Sequence, residues 1–209
     1  MEAKLLRAQF NSHFLFNNLN AINYCILQND NQKASTYLTL FSRFLRRIAG
    51  SPQKDFISFS DEIETLSQYI QIENLRFGSS IRLAVATDPA IDFRGVWIPS
   101  LILHSYVENM IWCNLESQTE EGILALSLKR KSGKYHILLE TNGVSLDKTH
   151  KLSPLSTRET GLKLTLERLQ LLNERYGTDL KITKTRSPAS KPGSGLRLSF
   201  TPFIPQALT

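Results

Sequence analysis

Along the first part of the chain, apolar residues recur every three or four positions, which is the spacing of an amphipathic helix. No glycine or proline interrupts the sequence from about Lys4 to Leu27. One apolar face of this stretch contains Leu15, Leu19, Ile22 and Ile26. At about 100° per residue, the pattern predicts a long helix with His13 on the side opposite to that face.

A second helix is predicted from about Lys33 to Ile48, after an Asn-Asp-Asn turn at residues 29–31 and before a stop at Gly50. Its apolar face contains Tyr37, Phe41, Phe44 and Ile48. Two antiparallel helices joined by a short turn form a hairpin that cannot bury both apolar faces by itself. We therefore expect two copies of the chain to pair as a homodimer with a four-helix arrangement.

A third helix is predicted to begin at an N-cap, Ser60, and to end near Gly78. Its buried face is expected to contain Ile63, Leu66, Ile70 and Phe77. From about Ile81 the apolar period changes to two, as in a strand. The change predicts a helical region at 1–78 and a second domain at 79–209.

The second domain is predicted to mix strands and helices. Strands are expected at 81–85, 123–130, 135–140, 180–185 and 196–200. One helix is predicted to open at Pro99, with Leu101, Ile102, Tyr106, Met110 and Ile111 on its inner face. The other is predicted from Thr160 to Tyr176, with Leu162, Leu166, Leu169 and Leu172 buried. The order of elements favours an α+β chain, a helical hairpin followed by an α/β sandwich.

Composition adds limits to this architecture. The 209 residues are 41% hydrophobic and 21% charged, as in an ordinary globular protein. The net charge of +6 is mostly spread out and suits a nucleotide phosphate, so nucleic acid is not an expected partner. Cys25 and Cys113 form neither a disulfide framework nor a metal pattern, and no apolar stretch reaches the roughly 20 residues of a membrane span. We expect a cytoplasmic chain.

The stretch from Gln9 to Asn20 is richer in asparagine and phenylalanine than a plain amphipathic helix requires, and it surrounds His13. Imidazole titrates near neutrality and is a nucleophile and a metal ligand. Neither the i+3 nor the i+4 neighbour of His13 is a metal-ligating residue, so a metal site at this histidine is not expected. From spacing alone, a structural role remains the more frequent one for a single helical histidine.

Residues 11–17 read Asn-Ser-His-Phe-Leu-Phe-Asn and resemble the H-box of the LytS-like sensor histidine kinases, Asn-Pro-His-Phe-Leu-Phe-Asn, with Ser12 in place of proline. Residues 69–78 resemble the signature Tyr-Leu-x-Ile-Glu-x-x-Arg-Phe-Gly of that family, although Glu73 and Arg76 also have the spacing of a surface ion pair. The resemblance implies that His13 accepts the γ-phosphoryl group of ATP and passes it to an aspartate of a response regulator. It also implies a Bergerat-type ATP-binding fold at 79–209, and an inner-membrane sensor whose membrane segment precedes residue 1.

Residues 98–109 resemble the N-box of the same family, which ends in Val-Glu-Asn. The resemblance implies that Glu108 is a catalytic base for His13 or orients it, and that Asn109 binds Mg²⁺ and the triphosphate of ATP. The further ATP-binding positions that it implies are Thr141, Asn142, Gly143, Gly161 and Leu162.

Several positions around the implied nucleotide depart from the family pattern. Thr141 replaces the aspartate that accepts a hydrogen bond from adenine, Ser145 replaces a glycine, and Glu159 replaces another. After the N-box, the family continues with a basic residue, a histidine and a glycine, whereas this chain has Trp112, Cys113 and Asn114. Two hypotheses therefore remain: an active kinase that uses ATP and Mg²⁺, and a degenerate pseudokinase that acts as a dimeric binding module without ATP turnover.

Overall fold

The computed structural model describes residues 12–50, 54–78, 80–104, 106–108, 111, 122–141, 156–186 and 194–202. The helices are α1 (Ser12–Leu27), α2 (Asn31–Gly50), α3 (Phe59–Phe77) and α4 (Ser156–Tyr176). Helical backbone is also present at 104, 106–108 and 111, which we call the N-box helix. The strands are β1 (Phe56–Ser58), β2 (Ile81–Thr87), β3 (Trp97–Pro99), β4 (Gly122–Lys131), β5 (Lys134–Thr141), β6 (Lys181–Arg186) and β7 (Ser194–Phe200). The predicted α+β class is confirmed.

The main sheet has five strands in the order β2-β4-β5-β7-β6. β2 pairs with β4 in parallel, and the other neighbours are antiparallel. β4 and β5 are joined at Ser132 and Gly133, whose φ angles of 52° and 77° fit a two-residue hairpin turn. The strands predicted at these places are confirmed to within two residues at each end, because alternation of apolar and polar residues marks a sheet with one buried side.

A second, two-stranded sheet pairs β1 with β3 and was not predicted. Its formation corrects two predicted helix starts. The N-cap of α3 is Ser58 rather than Ser60, and the Oγ of Ser58 accepts a hydrogen bond from the backbone N of Asp61 at 3.0 Å. Pro99 ends β3 instead of opening a helix, and helical backbone begins at His104. Strands of three residues are too short to give a periodic signal.

The hairpin of α1 and α2 has an aromatic core. The predicted face of α2 is confirmed, since Tyr37, Phe41, Phe44 and Ile48 are all buried. The ring of Phe14 from α1 lies 6.1 Å from Phe41 and 5.7 Å from Phe44, between ring centroids. It also lies 5.4 Å from Tyr69 of α3. The three helices therefore meet around one phenylalanine.

The apolar face predicted for α1 is wrong, because the buried face is rotated from it by part of a helical turn. Of its four residues Ile22 is buried, whereas Leu19 and Ile26 are 50% and 51% exposed. Phe14 and Asn18 face the interior instead. A phenylalanine ring buries more apolar area than a leucine side chain, and the polar atoms of Asn18 find hydrogen-bond partners inside the hairpin.

Two more residues that were predicted to be buried, Phe77 of α3 and Leu166 of α4, are exposed. On α4 the predicted burial of Leu169 and Leu172 is confirmed, and among its described side chains Thr165 and Arg168 are buried as well. The predicted ends of both helices are confirmed, because Gly78 and Gly177 each follow the last helical residue with a φ of 62°. The side chains of Met110 and Leu162 lie outside the described residues.

The buried apolar residues form one cluster that extends across residue 78. It contains Phe14 and Phe44 from the hairpin together with Ile98, Leu103 and Leu126. The division into 1–78 and 79–209 stays a prediction. Among the described residues, no helix combines the length and apolar character needed to cross a membrane.

We expect Phe44→Ala to lower the free energy of unfolding by about 3–5 kcal/mol, because it removes a fully buried ring and leaves a cavity. Urea unfolding followed by circular dichroism measures this loss. Ser42→Ala, on the exposed side of the same helix, is the matched control and should change stability by no more than about 0.5 kcal/mol. Similar losses in both variants would contradict the packing described for α2.

Candidate functional site

His13, the predicted phospho-acceptor, lies in the first turn of α1, and its side chain is outside the described residues. Its neighbour Phe14 is buried in the aromatic core, which determines how this turn is rotated. Positions 17, 20 and 24 continue the stripe of position 13 along the helix. Asn20 and Tyr24 on this stripe are exposed. These two residues therefore lie on the outer side of the hairpin, whereas Asn17 is half-buried.

Asn18 links the H-box to α2 through one hydrogen bond within α1 and one across to Tyr37. Asn18 is fully buried and donates from Nδ2 to the backbone O of Phe14 at 2.8 Å. Its Oδ1 accepts from the hydroxyl of Tyr37 at 2.7 Å. Burial, together with the charge of Glu73, raises the pKa of Tyr37, so the phenol keeps the proton that it donates. Sequence reasoning missed Asn18, although its spacing of four from Phe14 was a usable signal.

Glu62 of α3 caps the backbone that leads into the N-box helix. Its fully buried carboxylate accepts from the backbone N of Leu101 at 3.0 Å and of Leu103 at 2.9 Å. Leu101 has a φ of 57°, an uncommon value for leucine, and this hydrogen bond helps to hold it. Burial raises the pKa of Glu62 to about 7, and the backbone hydrogen bonds oppose the shift. Sequence reasoning assigned Glu62 only to the first turn of α3.

Arg168 ties α4 to the same turn. Its buried guanidinium donates from Nη1 to the backbone O of Ser100 at 2.6 Å and from Nη2 to the Oγ of Ser100 at 2.7 Å. The Oγ of Ser100 in turn donates to the backbone O of Lys54 at 2.8 Å. Burial lowers the pKa of Arg168, and the charges of Asp55 and Glu62 oppose this. Three distant segments thus meet at Ser100, a contact that no local pattern indicated.

The structure places the predicted nucleotide residues on three elements. Glu108 lies half-buried on the N-box helix. Thr141 is the last residue of β5 and is buried, on the same side of the strand as Ile137 and Leu139. Gly161 and Leu162 are in α4, which begins at Ser156, earlier than predicted, so Glu159 is also helical. The predicted residues Asn109, Asn142 and Gly143 lie outside the described residues, as do Cys113 and Ser145.

A buried ion pair on α3 lies between the hairpin and the N-box helix. Glu73 pairs with Arg76, and their side chains are 0% and 8% exposed. The alternative of a surface ion pair is therefore wrong. Burial raises the pKa of Glu73 to about 7, Arg76 lowers it, and the charge of Glu108 raises it. The N-box carboxylate is thus close enough to act on this pair.

His104 of the N-box helix packs into the aromatic core. Its ring lies 4.6 Å from that of Tyr69, edge to face, and 5.7 Å from that of Phe44, between centroids. Its Nδ1 is buried and has no hydrogen-bond partner among the described residues. Burial lowers the pKa of His104 to about 4, so the imidazole is neutral at pH 7. The N-box helix is thereby packed against both α2 and α3.

Residues 1–81 match the family model described as Histidine kinase. Sensor histidine kinase BtsS of Escherichia coli (strain K12) is 33% identical to the chain over 197 residues, which cover 94% of the chain and 33% of that protein. Sensor protein LytS of Oceanobacillus iheyensis is 31% identical over 156 residues, which cover 74% of the chain and 26% of that protein. The chain belongs to the LytS-like sensor histidine kinase family.

This family member spans about a third or less of the length of those two relatives. Among solved structures, a bacterial phosphotransferase superposes with a TM-score of 0.48 at 14% identity, covering 95% of both chains. The family assignment therefore rests on the sequence matches.

ATP and Mg²⁺ are the ligands that this family implies, and the donor types in the chain fit them. Asn109 has a side-chain amide oxygen, a usual ligand for a hard cation. Thr141 places a hydroxyl at the end of the buried side of β5, where it can accept a hydrogen bond from an amino group. A hydroxyl carries no charge, so this acceptor is weaker than the aspartate of the family pattern.

We expect His104→Phe to stabilise the protein more at pH 5 than at pH 7. The pKa of His104 is lowered from its usual 6.5 to about 4, so between these values the unfolded chain binds more protons than the folded one. The wild type therefore loses stability as the pH falls through this range, whereas phenylalanine keeps the ring packing without a basic nitrogen. Thermal melting of both proteins at pH 7, 6 and 5 measures the difference, and a pH-independent difference would contradict a buried, neutral His104.

Proposed function

We propose that the chain is the core of a two-component sensor kinase that transfers the γ-phosphoryl group of ATP to His13 and then to an aspartate of a response regulator. One observation carries the proposal. The turn that holds His13 is anchored by Phe14 and Asn18 in the hairpin core, and further along the same helix Asn20 and Tyr24 are exposed. A phospho-acceptor must meet two partners in succession, and an anchored turn at the start of a partly exposed helix suits that task.

In the proposed reaction, a ring nitrogen of His13 attacks the γ-phosphorus of ATP, a nitrogen–phosphorus bond forms and ADP leaves. Glu108 accepts the proton from the imidazole or orients the ring, as general base catalysis requires. Asn109 would hold the Mg²⁺ that accompanies ATP, and the metal would supply neutralisation of phosphate charge. In this proposal Thr141, Asn142 and Gly143 bind the adenine end, and Gly161 and Leu162 lie beside the phosphates in a Bergerat-type domain.

The second hypothesis, a pseudokinase that binds partners without ATP turnover, is motivated by Thr141. This buried position is neutral in the chain where the family pattern has an aspartate. The same experiments that test the kinase also decide this alternative. We place the chain in the cytoplasm, because that is where ATP and response regulators are found.

Incubation of the purified chain with radiolabelled ATP and Mg²⁺ is expected to label the wild type and to leave His13→Gln unlabelled. Glutamine keeps a polar side chain at position 13 but has no nucleophilic ring nitrogen. The label should be lost in acid and persist in base, as a phosphoramidate does. An unlabelled wild type that also gives no heat with ATP in calorimetry would refute the kinase and support the binding module. Label that survives in His13→Gln would refute this residue as the acceptor.

Thr141→Asp is expected to tighten ATP binding about tenfold, because a charge-assisted hydrogen bond is roughly twice as strong as a neutral one. Calorimetric titration with ATP and Mg²⁺ measures the change. Thr141→Asn is the matched control: it has the size of aspartate without the charge, and we expect little gain from it. Equal affinities in the wild type and Thr141→Asp would remove Thr141 from the adenine site.

We also propose a homodimer formed through the hairpin. Large apolar side chains are exposed on its two helices, namely Phe16, Leu19, Ile26 and Leu27 of α1 and Leu38 of α2. A second copy of the hairpin would cover such residues in a four-helix arrangement. The exposed positions of Leu19 and Ile26 place them on the outside of one hairpin, where they are available to a partner.

Sedimentation of the wild type at tens of micromolar is expected to show a dimer. Leu19→Lys combined with Ile26→Lys should shift it to a monomer, because buried, unpaired charges are costly at an interface. Val85→Lys, at an exposed apolar position on β2, is the control and should leave the dimer intact. A monomeric wild type, or a dimer that Val85→Lys disrupts equally, would contradict the proposed interface.

A further inference from the structure

The ion pair of Glu73 and Arg76 occupies the place where the hairpin meets the N-box helix. Glu73 is fully buried, and its charge and that of Arg76 both act on the phenol of Tyr37. Tyr37 donates to Asn18, which is bonded to the first turn of α1. On the other side, the N-box helix runs alongside α3, because the backbone N of Leu103 is bonded to Glu62 and the ring of His104 lies 4.6 Å from that of Tyr69. Glu108, one turn after His104, is therefore level with Glu73, one turn after Tyr69, and its charge acts on Glu73. The pair therefore contacts or lies near the elements that carry both His13 and Glu108.

The guanidinium of Arg76 is oriented from two directions. Glu73 accepts a hydrogen bond from Nη2 of Arg76. The ring of Phe77 lies beneath the guanidinium, 4.1 Å from ring centroid to Cζ. A planar cation that is held both at its edge and over its face has little rotational freedom, which a lysine ammonium would retain.

A buried ion pair of this kind contributes little to the free energy of folding. The desolvation of the two charges offsets much of their attraction, and apolar residues of similar size often stabilise a protein as well or better. The Oε1 of Glu73 is buried and has no hydrogen-bond partner among the described residues, so the pair is not fully satisfied by its surroundings. Because Glu108 is level with Glu73 on the facing helix, two carboxylates lie in the neighbourhood of one oriented cation.

Building on the proposed function, we propose that Arg76 is a positioning residue for Glu108. Its guanidinium, oriented by Glu73 and Phe77, holds the carboxylate of Glu108 toward the H-box. Through the hydrogen bonds of Tyr37 and Asn18, the same cation is also linked to α1, the helix that carries His13. Arg76 acts through Glu108 and not on ATP, so its loss should slow phosphorylation of His13 without weakening ATP binding.

The first test compares the rate of His13 labelling in Arg76→Gln, Arg76→Lys and the wild type across ATP concentrations. We expect Arg76→Gln to lower kcat by about tenfold to a hundredfold with KM for ATP changed less than about twofold, since base catalysis supplies about 10²–10⁴ in rate. Arg76→Lys keeps the charge and should restore part of the rate. Arg47→Gln is the matched control, because it also breaks an ion pair with a glutamate of α3, Glu64, but that pair is solvent-accessible. An unchanged kcat in Arg76→Gln, or an equal loss in Arg47→Gln, would overturn the proposal.

A double-mutant cycle asks whether Arg76 acts through Glu108. If it does, Arg76→Gln combined with Glu108→Gln should be no slower than Glu108→Gln alone. A purely structural role predicts that the two rate losses multiply, which would overturn the proposal. The urea midpoints of the wild type, the two single variants and the double variant provide a second cycle that requires no turnover. Shifts in midpoint that simply add in the double variant would contradict the proposed contact between Arg76 and Glu108.

Further measurements distinguish failure of this proposal from unfolding of a variant and from failure of the proposed kinase function. Thermal melting and ATP titration of every variant show whether a slow rate reflects unfolding. Should Arg76→Gln fail to fold, Glu73→Gln keeps the shape of the pair while removing the charge that orients Arg76, and a wild-type kcat in it would overturn the proposal. Absence of label in the wild type itself refutes the kinase, and it is distinguishable because no variant then differs from it.

Discussion

The contact on which the rest of the structure depends is the packing of Phe14 against rings of α2 and α3. This burial determines the rotation of α1, because Phe14 can face only one direction. Asn18, one turn later, is then directed toward Tyr37, and Asn20 and Tyr24 lie outside. His104 extends the same aromatic cluster to the N-box helix. The first turn of α1 and the N-box helix therefore pack on the same apolar core.

Charged groups are buried where elements join, and each has a local reason. Glu62 satisfies backbone N–H groups before the N-box helix, and Arg168 satisfies the carbonyl of Ser100. Glu73 pairs with Arg76 in the interior, and the charge of Glu73 acts on Tyr37 of the hairpin. In each case hydrogen bonds offset part of the free energy of desolvation. These groups specify how the helices are placed, since a charge without its partner would make another arrangement costly.

Patterns with a local cause were predicted well. The strands followed from alternation, and the ends of α3 and α4 from glycines. The errors share one origin. Leu19, Phe77 and Leu166 were assigned to buried faces by periodicity, but each is exposed because other residues of its helix face the neighbours. In the candidate site, the family resemblance indicated Glu108 and Thr141, whereas Asn18, Glu62 and Arg168 were recognised only through contacts far along the chain.

The sequence by itself indicated the main helices and the five-stranded sheet, the family, and His13, Glu108 and Thr141 as candidate site residues. These follow from residue type and short spacings, which the backbone period converts directly into local geometry. Only the tertiary structure decided which side of α1 is buried, that Pro99 ends a strand, and that Glu73 and Arg76 are an interior pair. Which face of an element is buried depends on how well each face packs against neighbours that are distant in the chain. A local sequence pattern carries no information about those neighbours.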